Sequence, residues 1–142
     1  MSVIVSDTGF SEDTWTGGFA SLDAANDTDA LDVPSDADPA DIPLNQSLSL
    51  VRIDFPSSAD GRGFTIARAL RLRGYKGRLR AKGHVLADQY AMARRSGFDE
   101  VEISGELAAR QPEDQWQFRA DWQAHNYQAR LRGTGSAPAP RG

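Results

Sequence analysis

Between Leu48 and Ser104 the chain alternates between residues that fit a strand and residues that fit a helix, and no other feature limits its fold so tightly. LSLVRIDF, 48–55, places Leu48, Leu50, Val51, Ile53 and Phe55 densely enough for a strand buried on both faces. A helix is predicted from about 62 to 73, with Ile66, Ala69 and Leu70 on one side, Arg68 and Arg71 on another, and Gly74 as its stop. GRLRAKG, 77–83, reads as a short strand in which Leu79 and Ala81 alternate with Arg78, Arg80 and Lys82. VLADQYAMARRSG then reads as a second helix ended by Gly97, and FDEVEIS, 98–104, as a third strand.

Strand, helix, strand, helix, strand at this spacing means parallel pairing through right-handed crossovers. The predicted class is α/β: one domain over 1–132, built on a small, mostly parallel sheet of βαβαβ type with a short N-terminal β element. That element is SVIVSDTGFSEDTW, a strand, a turn at Asp7-Thr8-Gly9 and a second strand. Residues 16–30 read as a polar, mobile loop, overlapping ALDVP, 30–34, a weak strand; Asp38-Pro39 starts a short helical turn. Pro112-Glu113-Asp114 marks a helix start, although Trp116, Phe118, Ala120 and Trp122 also alternate as a strand would. Residues 133–142 read as a disordered tail.

This topology carries the argument towards function. The loops after Phe55, Lys82 and Ile103 leave parallel strands at their carboxyl ends, the edge where such sheets bind ligands. DGRGF, GHVLADQ and SGE are therefore expected as neighbours. DGRGF is no dinucleotide fingerprint, because Ile66 stands where GxGxxG needs its last glycine, and the chain has no GxxxxGK[ST] loop. Two readings of it stay open. Asp60 caps the helix and Gly61 and Gly63 shape the turn, or the glycines, free helix-start amides and Arg62 hold a small anion. His84 is likewise a cap or an exposed side chain, or a proton donor that Asp88, four residues on, would orient. Arg80 and Lys82 would supply charge at the same edge, and Gln89 a hydrogen-bonding amide.

Composition narrows the chemistry. The 142 residues include no cysteine, which removes disulfides, cysteine-ligated iron–sulfur clusters and a thiol nucleophile; two histidines on different elements make no histidine-rich metal site. No cofactor fingerprint is evident and no metal site is expected. The absence of a signal-peptide pattern and of a long apolar run points to a soluble, cytoplasmic protein away from membranes. Charge is segregated: residues 1–50 carry ten acidic and no basic side chains, residues 51–142 sixteen basic and ten acidic. An anionic ligand or an acidic protein surface would suit the second part, unless the two parts neutralise each other. Nucleic acid is not expected, since RLRGYKGRLRAK has a single aromatic, Tyr75, and the sequence pI is near 5.1. Trp116, Phe118, Trp122 and Tyr127 read as core or as a partner-docking face.

The string IDFPSSADGRGFTIARALRLRGYKGRLRAKGHVLADQYAMARRSGFDEVEI resembles the bacterial family called domain of unknown function 934. Its members run through a strand ending in DFP, then DGRG, an arginine- and leucine-rich helix, a GxLRA strand, a VLxDQ helix and a GFD strand. The likeness is specific over 48–104 and looser at IVSDTGFSEDTW and NYQ; family sequences often carry aspartate where this chain has His84. It implies a setting, because family genes commonly lie beside those of assimilatory sulfite reductase and members are labelled as involved in sulfite reduction. The expectation is a small accessory protein of sulfite or sulfate reduction, without independent catalysis, binding the reductase, another sulfur-assimilation enzyme or a small anion at the carboxyl edge. The alternatives are a small NADP- or anion-binding oxidoreductase subunit using that edge, and a structural protein with no ligand.

Overall fold

Every apolar run of the alternating region enters one seven-stranded sheet, seen in a computed structural model that describes residues 2–22, 29–44 and 48–117. The strands are β1 (Ser2–Ser6), β2 (Gly9–Glu12), β3 (Ala20–Ser21), β4 (Ala30–Val33), β5 (Leu50–Phe55), β6 (Arg78–Gly83) and β7 (Glu100–Ser104). Their order across the sheet is β2-β1-β7-β6-β5-β4-β3. β3 to β7 run parallel in unbroken sequence, while β1 lies antiparallel between β7 and β2. The α/β class and the mostly parallel sheet match the expectation from sequence. The parallel strands never reverse their order, and strand direction changes on both sides of β1, where it meets β7 and β2.

Among the described residues four helices accompany the sheet: α1 (Arg62–Leu72), α2 (Tyr90–Ser96), α3 (Gly105–Arg110) and α4 (Glu113–Gln117). Strand alternation sends Val51, Ile53, Phe55, Leu79, Ala81, Val101 and Ile103 to the helix side, where they share one core with Ile66, Ala67, Leu70, Tyr90 and Ala93. Gly63 sits in the first turn of α1 because a methyl group there would stand 2.5 Å from the Phe55 ring, itself wedged between Phe64 and Phe98. Arg71 locks the far ends of the helices by donating to the carbonyls of Tyr75, Gly77 and Gly97 and to Asp99. The buried Tyr90 hydroxyl donates to Asp7 at 2.5 Å and so ties α2 to the β1–β2 turn; burial, reinforced by Asp7, pushes that hydroxyl well above its ordinary pKa.

Several local expectations need correction. The stretch 16–30 contains β3, a two-residue edge strand parallel to β4, and its remaining part 23–28 lies outside the described residues. The second helix begins later than the pattern implied: Leu86 is extended, a 3-10 turn covers Ala87–Gln89, and α2 starts at Tyr90. His84 and Asp88 thus do not share a helical turn. α3 follows β7 at once, capped by the Ser104 hydroxyl accepting from the Leu107 amide, where the sequence reading had only a loop. Residues 113–117 are helical, with Trp116 buried; the rest of the helix-or-strand question over 118–123 and the 133–142 tail lie outside the described residues. Among the described residues no helix is long and apolar enough to cross a membrane.

Candidate functional site

The same alternation that fills the core loads the other side of the sheet with charge. Asp32 on β4, Arg52 and Asp54 on β5, Arg78, Arg80 and Lys82 on β6, and Glu100 and Glu102 on β7 all point that way. Basic and acidic strands lie adjacent, so the charges interlock. Arg80 donates to Glu100 at 2.6 Å and Glu102 at 2.9 Å; Arg52 holds Asp32 at 2.6 and 2.8 Å and Glu102 at 3.1 Å; Arg78 reaches Glu100 at 2.7 Å. The segment after β2 lies over this network. Asp13 accepts from Arg80 at 3.2 Å, and the guanidinium carbon of Arg52 sits 3.7 Å from the centre of the Phe19 ring. Burial alone would raise the Asp13 pKa, but the Trp15 amide and then Arg80 outweigh it and hold it below the ordinary range. Arg80, only 1% exposed, is therefore a structural cation matched by three carboxylates, and the structure does not present it at the loop edge.

DGRGF closes on itself in a similar way. Asp60 accepts from the Arg62 amide at 3.1 Å and from its guanidinium at 3.0 and 2.8 Å, and Arg62 also donates to Ser35 at 3.1 Å. The side-chain hydrogen bond from Arg62, then its amide, hold the Asp60 carboxyl at about 2. The folded pKa lies below the ordinary 3.8, so the clamp contributes at neutral pH and is lost as pH falls from about 4 towards 2. A carboxyl-carbon NMR titration should give Asp60 a midpoint near 2, and the amides of the first turn of α1 should shift with it in the native chain but not in Asp60→Asn. A midpoint near 4 would contradict the clamp. Gly61 has ordinary backbone angles, and Gly63 packs closely against the Phe55 ring.

At the carboxyl edge itself stands Lys82, the last basic residue on the charged face of β6. Its side chain is exposed and makes no ion pair or hydrogen bond among the described residues. Gly83 follows with φ +119, and a Cβ there would meet the Phe55 carbonyl at 2.5 Å. That close approach fixes His84, whose amide donates to the same carbonyl at 3.0 Å and whose Nδ1 lies 3.3 Å from it. Two clefts meet at Lys82. One, about 210 Å³, lies where β7 turns against β1 and gathers Lys82, His84 and Arg110 with Glu102, Glu106 and Ser104. The other, about 470 Å³, lies over β4 and β5 and adds Ser21, Leu22, Val33, Pro34 and Asp54.

GHVLADQ and SGE thus meet in the smaller cleft. DGRGF does not line that cleft; the loop before it is tied to GHVLADQ by Gln89, which accepts from the Leu86 amide and donates to the Ser58 carbonyl at 2.9 Å. Arg62 lines a separate cleft with Ser35 and Asp36, and Asp88 is exposed on its 3-10 turn. Arg110 and Asp54 are not among the residues singled out from sequence, and Glu106 enters only within SGE. Asp54 was legible as the strand-end carboxylate beside Lys82 in register; Arg110 depends on α3, six residues long and carrying little helical signal of its own. Among the described residues no group of three or more histidine, cysteine or acidic side chains is arranged to hold a metal ion.

Residues 30–137, most of the chain, fit the family described as bacterial protein of unknown function (DUF934). No curated protein and no solved structure matches significantly.

Proposed function

We propose that this chain, which belongs to the DUF934 family, is a cytoplasmic accessory protein of assimilatory sulfite reduction, without catalysis of its own, that engages the reductase through the smaller cleft beside Lys82. The observation that carries the location is the division of labour within the basic stretch. Arg52, Arg78 and Arg80 spend their charge on Asp32, Glu100 and Glu102, whereas Lys82 keeps its charge at the edge, beside Arg110 and His84. Exposed cations at a polar rim steer an acidic partner and set its orientation. The pathway rests on the family resemblance; the edge rests on this geometry. A second reading, a small oxyanion in the same cleft, is favoured by its volume of about 210 Å³ and its three basic groups against Glu102, already bound to Arg52 and Arg80, and Glu106, which pairs with Arg110 at 3.7 Å.

Genetics tests the pathway. A strain lacking this gene should grow poorly with sulfate as sole sulfur source and recover on cysteine; the wild-type gene should restore growth on sulfate, while Lys82→Glu and Arg110→Glu should not. Normal growth of the deletion strain on sulfate would overturn the assignment. Calorimetry with sulfite and sulfate separates the two readings, since direct binding to the isolated chain supports the oxyanion.

A further inference from the structure

The larger cleft on the other side of Lys82 plays no part in the docking reading, and its lining is of another kind. Leu22 and Pro34 supply its apolar part and Ser21 a hydroxyl, while the Val33 side chain is buried in the core on the helix side. Its volume, about 470 Å³, lies within the range of pockets that hold small organic ligands, roughly 300–1,000 Å³. Its charges reduce to two. Asp32 is also present, but both its oxygens are taken by Arg52 at 2.6 and 2.8 Å. Asp54 and Lys82 remain: they are register partners across β5 and β6, they project from the same face, both are exposed, and neither has a side-chain partner among the described residues.

A carboxylate and an ammonium one strand spacing apart, about 4.8 Å between backbones and without a side-chain partner among the described residues, select for a particular ligand. A simple anion attracted by Lys82 is repelled by Asp54, and a simple cation meets the reverse. A molecule carrying an ammonium and a carboxylate on one carbon satisfies both at once with charge-assisted hydrogen bonds. The adjoining Leu22 and Pro34 favour an apolar substituent on that carbon. We propose that this cleft binds a small α-amino-acid-like zwitterion, its ammonium on Asp54, its carboxylate on Lys82 and its side chain against Leu22 and Pro34. The inference is separate from docking, because Asp54 belongs to this cleft while His84 and Arg110 belong to the other.

Titration of the full chain, followed by amide NMR shifts, with L-leucine, L-methionine and glycine tests it. Isovalerate and isoamylamine serve as controls that each keep one charge of leucine. L-Leucine or L-methionine should bind and shift the amides of Leu22, Val33 and Asp54. Glycine and both single-charge controls should bind about tenfold more weakly or worse, and Asp54→Asn and Lys82→Gln should each cost about tenfold with an unchanged far-UV spectrum. Arg110→Glu should leave these affinities intact, and Asp54→Asn should leave reductase binding intact, so failure here is distinguishable from failure of the docking reading. The proposal is overturned if neither amino acid binds the wild type up to about 10 mM, if a single-charge control binds as tightly as leucine, or if Asp54→Asn keeps full affinity.

Discussion

Alanine at Arg80 should lower the unfolding free energy by about 3–5 kcal/mol, the cost of stranding buried carboxylates without their cation. Glu100 and Glu102 are 9% and 5% exposed and both accept from Arg80, so its removal leaves two carboxylates facing each other from one strand in a site that water reaches poorly. Arg52 and Arg78 compensate only in part, each reaching one of them. For a domain whose total stability is of the order of 5–15 kcal/mol this is a large fraction. Urea denaturation followed by tryptophan fluorescence reads it directly, since Trp116 is buried. The transition should move to lower urea with its slope unchanged, and Lys82→Ala should stay within about 0.5 kcal/mol of the native chain. Pairing Arg80→Met with Glu100→Leu should recover part of the loss, because removing opposite charges together avoids the stranded carboxylate. An Arg80→Ala midpoint equal to the native one would show that the network contributes nothing.

The same residue illustrates how far the sequence could be read. RLRAK and EVEIS both alternate, so each strand's charged side and its parallel neighbours were legible. What the alternation left hidden was that two oppositely charged strands lie side by side, which turns Arg80 from a ligand-binding cation into a buried counter-ion. The apolar strands were legible because their burial is local and periodic. β3 was not, since two residues carry no period and the strand is held by register with β4, near a Phe19 ring stacked on Arg52. The start of α2 was misplaced because VLADQ has helical spacing, whereas Leu86 stays extended while the Gln89 side chain accepts from its amide. The place of Lys82 near the carboxyl end of its strand is legible in the sequence, whereas its lack of a partner among the described residues shows only once the surrounding arginines have found theirs.

The second large effect concerns that residue. Lys82→Glu reverses charge at the meeting point of both clefts, beside Asp54 in register on one side and Glu102 on the other, and should turn an attractive edge for an acidic partner into a repulsive one. The fold should not suffer, because the side chain is exposed and makes no ion pair among the described residues. Arg95→Glu, an exposed change of the same charge at the end of α2, controls for net charge alone. The decisive measurement is calorimetric titration of purified assimilatory sulfite reductase into the native chain, Lys82→Glu and Arg95→Glu at low and moderate salt. The account predicts saturable binding of the native chain that weakens with salt, a loss of about tenfold or more in Lys82→Glu, and near-native affinity in Arg95→Glu. No binding by the native chain, or equal affinity in Lys82→Glu, would contradict it.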